Sequence, residues 1–377
     1  MIPAIECSAC HRKYPEHGFA WHCESCGGVF DLPELAPFDS SRVAQDRHDL
    51  WKYRAWLPLE EQAAEISLGE GGTPLVPLEV MGRPVWGKAE LLNPTGSFKD
   101  RATAVLVSVL KDRGVSEAVE DSSGNAGASF AAYCARAGIR ARIYVPGSSS
   151  GLKRTQIAAY GAEVRETEGG RSAASEAALR EVQAGVAYGS HAYLPHGLGG
   201  IATIAFELVS QLGSGLGLVA APAGQGSLIT GLFLGFQSLL KGRLIRELPR
   251  LVAVQIVSCA PIWKAWQPSA PDQSSAPPET GIAEGIRVAR PVRMSGVIRA
   301  LEESQGDVIA VDEREALLGQ REWLRQGMFV ETTSAVVYPA IAKILGGQSR
   351  LRPEDIGGAI VAILTGSGLK EAGRFTL

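Results

Sequence analysis

No stretch of the 377-residue sequence approaches the roughly 18 uninterrupted apolar residues that a membrane-crossing helix needs. The longest apolar runs, such as Gly357–Leu364, contain glycine and have the length of a buried strand. An excess of one charge is also missing: 37 lysines and arginines against 40 aspartates and glutamates leave a net charge of −3. No global field therefore draws the chain to nucleic acid or to an anionic membrane. Met1–Cys10 has no basic stretch followed by an apolar one, which argues against a secretory signal and for a cytoplasmic protein. Cysteine is scarce and unevenly placed: of six, four fall within the first 26 residues, while Cys134 and Cys259 stand apart. Paired, clustered thiols in a reducing compartment point to metal rather than to disulfides.

What is present is enough for a large core, with a hydrophobic share of 45% and a charged share of 20%. Residues 1–36 are rich in cysteine, histidine and aromatics. From about Thr73, short β-branched runs alternate with alanine- and leucine-rich stretches. Strands are expected at Ala118–Asp121, Ala141–Val145, Glu163–Glu166, Gly217–Ala221, Leu251–Ile256 and Ala359–Leu364. Helices are expected at Ala126–Ala137, Leu152–Tyr160, Ala173–Gln183, Gly199–Leu212, Leu228–Leu240, Glu313–Gln326 and Ser334–Leu345. Such alternation predicts an α/β fold with parallel sheets and helical crossovers. Gln267–Thr280, rich in proline and serine, breaks the rhythm and reads as an exposed loop.

Cys7-x2-Cys10 and Cys23-x2-Cys26 are separated by twelve residues. Each pair turns two thiolates to one side of an ion, and the second pair closes a tetrahedral site, so the four cysteines predict a structural zinc. Rubredoxin-like iron or an oxidised module are the alternatives. Four thiolates saturate the ion, so His11, His17 and His22 are surplus and expected at the surface. Only Arg12 and Lys13 form a basic cluster, too little for a nucleic-acid finger.

Four stretches carry the rest of the chemistry. Asn93–Arg101 (NPTGSFKDR) is a turn running into a helix, with Lys99 near the helix N-terminus. The helix dipole and partial burial there would lower the pKa of an imine-forming amine; the plainer reading is a surface lysine paired with Asp100. Ser122-Ser123-Gly124-Asn125-Ala126-Gly127 links a strand to a helix and exposes amides and hydroxyls to an anion. Ala223-Gly224-Gln225-Gly226-Ser227-Leu228 follows a strand and opens a helix, an arrangement suited to a phosphate ester. Thr365-Gly366-Ser367-Gly368-Leu369-Lys370 puts hydroxyls at the carboxyl end of the last strand. No G-x-G-x-x-G followed by an acidic residue occurs, which excludes a dinucleotide-binding reading.

In this order the stretches resemble the fold-type II pyridoxal-5′-phosphate (PLP) enzymes, and within them the threonine synthase family. GEGGTPL at Gly69–Leu75, IAEGI at Ile282–Ile286 and ETTSA at Glu331–Ala335 belong to the same likeness, which runs from Gly69 to Lys370. The resemblance implies a tryptophan synthase β-like fold of two open α/β domains with the cofactor in the cleft, preceded by a zinc ribbon. Residues 1–36 would form the ribbon, 37–87 and 190–377 the larger PLP-binding domain, and 88–189 the smaller domain carrying Lys99. It further implies Lys99 as the Schiff-base lysine and Asn125 facing the PLP 3′ oxygen. Gly224, Gln225, Gly226, Ser227 and Leu228 would form the phosphate cup, and Thr365 would face the pyridine nitrogen. Ser122, Ser123, Gly124, Asn125 and Ala126 would frame the substrate carboxylate. A neutral hydroxyl at Thr365 suits eliminations and replacements rather than transamination.

One departure concerns the substrate. Many threonine synthases carry Asn-Pro-x-Arg before the helix that corresponds to Gly199–Leu212, and its arginine grips the phosphate of O-phosphohomoserine. Here Ser190–Gly197 reads SHAYLPHG without arginine, leaving His191 as the substrate-facing candidate and Lys153 or Arg154 as other cations. The implied activity is a threonine synthase-type lyase acting on O-phosphohomoserine or a close analogue at the β and γ carbons, as a homodimer. A serine/threonine dehydratase, a β-replacement synthase on O-activated serine, and a catalytically idle PLP-binding regulator are the rival readings.

Overall fold

Val, Ile and Ala runs too short for helices become strands here, and the alanine- and leucine-rich segments between them become crossovers, as a computed structural model shows. The structure describes residues 4–147, 151–267 and 281–374, so the proline- and serine-rich loop lies outside the described residues apart from Gln267. In chain order the elements are β1 (Glu6–Cys7), β2 (Phe30–Asp31), β3 (Leu75–Val80), β4 (Arg83–Lys88), α1 (Lys99–Asp112), β5 (Glu117–Glu120), α2 (Asn125–Ala137), β6 (Arg140–Pro146) and α3 (Leu152–Ala159). They continue with β7 (Glu163–Thr167), α4 (Arg171–Gln183), β8 (Ala187–Tyr188), α5 (Gly197–Leu212), β9 (Leu216–Pro222), α6 (Ser227–Lys241), β10 (Arg250–Ile256) and α7 (Pro261–Trp266). The last are α8 (Met294–Glu303), β11 (Asp307–Val311), α9 (Glu313–Arg325), α10 (Thr332–Ala335), α11 (Val337–Leu345) and β12 (Ala359–Ile363). None of the described helices is long and apolar enough to cross a membrane.

β1 and β2 form a small antiparallel pair, and two larger sheets organise the remaining strands. One has the order β7-β6-β5-β8 and is parallel throughout; the other has the order β11-β10-β9-β12-β4-β3 and is parallel except for the β3–β4 hairpin. The hairpin is not signalled by the alternation of apolar and polar residues, because Pro77, Pro84 and Gly87 interrupt both strands. The structure closes it through Met81 and Gly82, which both take positive φ, 52° and 73°, as a two-residue hairpin turn requires. The single helix expected over Ser334–Leu345 is two, α10 and α11, divided at Val336.

The chain divides into two compact units: residues 1–72, 93–203 and 373–377, and residues 73–92 and 204–372. This differs from the expected boundaries at 37–72 and 190–203, expected with the larger domain, and at 88–92, expected with the smaller. The physical reason lies in the wrapping of 37–72 around α1 and α2. Leu50, Trp51, Leu57 and Leu59 share a core with Val105, Leu106, Phe130 and Tyr133. Glu70, fully buried, accepts hydrogen bonds from Trp51 Nε1 at 2.8 Å and Tyr133 Oη at 2.7 Å, and Ile66 N donates to Ser108 Oγ at 2.9 Å. Segment 73–92 goes to the other unit because β4 pairs with β12 and because Lys88, fully buried, donates to Glu207 Oε2 at 2.6 Å and to the Thr73 carbonyl at 2.7 Å. A buried ammonium without those partners would be prohibitively costly.

Within the first unit α1 and the start of α5 cross at glycine. A Cβ on Gly200 would sit 2.0 Å from the Arg101 carbonyl oxygen, and one on Gly197 2.9 Å from Ala102 Cβ. Arg101, also fully buried, reaches Thr203 Oγ1 at 2.9 Å across the same contact. Gly200→Ala is therefore expected to destabilise the protein by about 2 kcal/mol or more, the upper part of the range for overpacking a tight interior. A lower urea midpoint than that of the parent chain would register it.

Candidate active site

Lys99 is the first residue of α1, and the loop before it is built to hold it there. Asp100, buried, accepts from Thr95 N and Thr95 Oγ1, both at 2.6 Å. Asn93 Oδ1 accepts from Gly71 N at 3.0 Å, and Gly96, at φ 83°, closes the turn onto the Asn93 carbonyl at 2.7 Å. Asp100 is thus the clasp of its own loop, each of its carboxylate oxygens accepting from Thr95. The Lys99 Nζ lies 4.7 Å from the centre of the Phe98 ring.

The other residues of this unit's site come from neighbouring strand ends. β5 pairs with β6 on one side and β8 on the other, so the crossovers diverge between β5 and β8. Parallel sheets present their sites at such a switch point, beyond the carboxyl ends of the strands. Ser122–Ala126 follows β5, with Asn125 opening α2 and Gly124 N donating to Ser122 Oγ at 3.3 Å. Gly127 has to be glycine, since a Cβ there would come within 1.9 Å of the Ser122 carbonyl oxygen. Tyr188–His191 follows β8. His191 Nδ1 and Glu120 Oε1 are 2.8 Å apart, while the other Glu120 oxygen accepts from Ser122 N. Asp121 accepts from Tyr188 Oη at 2.9 Å and from Ser175 Oγ. Burial, with Asp121 adjoining, pushes the Glu120 carboxyl up to about 8 against the pull of Arg171, the Ser122 amide and Lys99. Burial thus favours the protonated form of Glu120, the carboxyl that meets His191 Nδ1.

The second unit repeats the arrangement at β9 and β12, adjacent parallel strands whose neighbours lie on opposite sides. Gly224–Gly226 follows β9 and Ser227 opens α6, so amide groups at a helix N-terminus face outward, as in anion sites. A Cβ on Gly224 would lie 2.7 Å from the Gly285 carbonyl oxygen, and Gly226 holds φ 96°. Gln225 anchors the loop through Val292 N to its Oε1 at 3.1 Å and Arg293 N to its carbonyl at 3.0 Å. Leu228 is buried one residue into the helix. After β12, buried Thr365 has its Oγ1 at 2.8 Å from Ser334 Oγ, and Gly366 N donates to the same Ser334 oxygen at 2.8 Å.

The N-terminal cysteines form a third cluster. The sulfurs of Cys7, Cys10, Cys23 and Cys26 all lie within 4.8 Å of one another, with Cys7–Cys26 at 3.5 Å and Cys10–Cys23 at 3.6 Å. A tetrahedron with zinc–sulfur bonds of about 2.3 Å has edges of about 3.8 Å. A Cβ on Gly28 would sit 2.8 Å from Cys7 Sγ, so the small residue keeps the backbone close to the sulfurs. Of the three histidines, His11 and His17 are exposed as expected, whereas His22 is half-buried with its ring 4.1 Å from that of Trp21.

A family model described as pyridoxal-phosphate dependent enzyme matches residues 66–366. The threonine synthase of Methanocaldococcus jannaschii is 32% identical over 378 residues, covering 97% of this chain and 92% of its own. That of a Bacillus species is 33% identical over 328 residues, covering 85% and 90%. The chain belongs to the fold-type II pyridoxal-phosphate dependent enzymes, in the threonine synthase family. Among solved structures, maize serine racemase shares the fold, with a TM-score of 0.67 at 19% identity over 80% of this chain and 90% of its own.

PLP fits the residues present. Ser227 Oγ and Thr230 Oγ1 are buried in the first turn of α6 without a hydrogen-bond partner, which is what the lip of a phosphate cup needs. The motif residues fall in two sets: Lys99, Ser122–Ala126 and His191 in one unit, Gly224–Leu228 and Thr365 in the other. Sequence reasoning missed the polar groups behind them, Ser334, Glu120, Asp121 and Tyr188. The only signals were ETTSA as an unexplained motif and two consecutive carboxylates closing a strand.

Glu120 has its folded pKa raised to about 8 from an ordinary 4.5, so its favourable contribution is complete below 4.5 and is lost as pH rises through 8. The melting temperature is expected to fall between pH 5 and 8, and to fall less in Glu120→Gln. Parallel pH series of both proteins by differential scanning calorimetry would check this.

Proposed function

We propose that this enzyme is a threonine synthase-type lyase that carries out elimination and replacement at the β and γ carbons of an activated amino acid, O-phosphohomoserine or a close analogue. The observation that carries the reaction type is Thr365, a neutral hydroxyl pinned by Ser334 at the end of β12. The likeness to threonine synthases over nearly the whole chain supports the substrate class. PLP, when bound, supplies the electron sink. Lys99 holds the cofactor covalently and moves protons at the substrate carbons, from a position kept by the Asp100–Thr95 clasp. Asn125 would hold the cofactor at its ring oxygen and Thr365 at its ring nitrogen. Gly224, Gln225, Gly226, Ser227 and Leu228 bind the cofactor phosphate through amides and the Ser227 hydroxyl. Ser122, Ser123, Gly124, Asn125 and Ala126 bind the substrate carboxylate, and His191 faces its side chain.

A second reading, dehydration of serine or threonine or β-replacement on an O-activated serine, is favoured by the Glu120–His191 pair. In Ser190–Gly197, where relatives are expected to offer arginine, His191 is turned onto a buried carboxyl and the segment supplies no guanidinium for a phosphate dianion. Arg154, the nearest candidate replacement in sequence, is already paired with Glu166. The same proposal assigns zinc to Cys7, Cys10, Cys23 and Cys26 as a closed structural site.

Three measurements test these assignments. Lys99→Ala is expected to abolish the visible absorbance of the lysine-linked cofactor and its trapping by borohydride; trapping at another lysine would remove Lys99 from its role. Steady-state kinetics with O-phosphohomoserine, threonine, serine and O-acetylserine should show phosphate-releasing turnover of the first, and a preference for an uncharged substrate would favour the second reading. Metal analysis should find about one zinc per chain, lost in Cys23→Ser with cofactor binding intact.

A further inference from the structure

Nothing in a closed four-sulfur site explains why a biosynthetic enzyme carries one. The contacts of the module with the rest of its unit are specific. Trp21, two residues before Cys23, stands edge-on to Tyr193 with ring centres 5.0 Å apart and to Tyr188 at 6.0 Å. Tyr14 meets the His196 ring edge-on at 5.0 Å and the Phe30 ring of the module's own small core at 4.8 Å. Trp21, Tyr188 and Tyr193 belong to one hydrophobic cluster with Val119 and Tyr144. Arg113, at the far end of α1 from Lys99, donates to the Gly18 carbonyl at 2.8 Å and to the Pro15 carbonyl at 3.3 Å, and its guanidinium lies over the Tyr14 and Phe19 rings. The module is thus fastened to α1 on one side and to segment 188–196 on the other.

That segment has little structure of its own. β8 is two residues long, and from Gly189 to α5 the chain is turn and coil. Its holds on β5 include the Gly189 amide on the Val119 carbonyl at 2.8 Å, the Tyr188 hydroxyl on Asp121 and His191 on Glu120. The aromatic rings of the module hold it from the other side. Edge-to-face pairs are directional, so they fix orientation as well as proximity.

We propose that the N-terminal module is the outer support of segment 188–196, with Trp21 and Tyr14 as positioning residues that keep Tyr188, Tyr193 and His196 in register so that His191 meets Glu120 beside the Ser122–Ala126 loop. The metal would then act on substrate selection through packing, with no part in the chemistry. This rests on the reading above that the segment faces the substrate side chain.

The test uses the full-length holoenzyme and the variants Trp21→Ala, Tyr14→Leu and the conservative Trp21→Phe, each first checked for retained metal and for unchanged visible absorbance of bound cofactor. Hydrogen–deuterium exchange of peptides spanning 186–197 is the readout independent of activity. Trp21→Ala and Tyr14→Leu should exchange faster there and not in α2. Their KM for the preferred amino acid should rise about tenfold, the scale of a displaced positioning group, with kcat little changed. Trp21→Phe should recover most of both. Unchanged exchange in 186–197 would overturn the proposal. So would faster exchange with an unaltered KM, provided that His191→Ala does raise KM; if His191→Ala leaves KM unaltered too, the substrate-facing reading of the segment is what fails, and the proposal falls with it. Should Trp21→Ala not fold, Tyr14→Leu decides by the same two readouts.

Discussion

In a parallel sheet, successive crossovers must leave the sheet on one side or the other, and wherever the direction changes, two neighbouring strands send their following loops apart. The site residues depend on that constraint. It acts twice here, between β5 and β8 in one unit and between β9 and β12 in the other. At each place a helix N-terminus follows one of the strands, so backbone amides face the gap without any side chain being needed to attract an anion. Small residues are required there because the backbones approach closely, as Gly127 does the Ser122 carbonyl and Gly224 the Gly285 carbonyl.

Position is then refined by buried polar groups, each satisfied by a named partner. Asp100 spends both oxygens on Thr95, Glu120 spends its two on Ser122 N and His191, and Ser334 serves both Thr365 and Gly366. Such groups add modest net stability, but leaving one unpaired costs more than the bond contributes, so they specify a single arrangement. Ser227 and Thr230 break the pattern with unpartnered hydroxyls in the first turn of α6. In a member of a PLP family, that is the expected signature of a phosphate cup rather than of a packing fault.

The end of β5 gathers two buried acids. Glu120 and Asp121 sit below the Ser122–Ala126 loop and are both buried, one bound to His191 and the other to Tyr188 and Ser175. A carboxyl that burial keeps near neutrality in charge can orient His191 without projecting a full negative field at the substrate.

By itself the sequence determined the α/β alternation, the helices that carry Lys99 and Asn125, the glycine-rich loop before α6 and the cysteine pairs, because each is written in contiguous residues whose spacing or turn chemistry is local. The β3–β4 hairpin is not legible, since Pro77, Pro84 and Gly87 hide its strands and Met81 is not a usual residue for a positive φ. Only the tertiary structure decided which unit claims residues 37–72, since that follows from Trp51, Glu70 and Tyr133 meeting across 19 to 63 positions. It alone paired Glu120 with His191, 71 residues apart, and Thr365 with Ser334, 31 apart. It also set Trp21 against Tyr188 and Tyr193. Periodicity and motif spacing report on neighbours along the chain, whereas these contacts arise where separate strands end side by side, and no local pattern encodes that meeting.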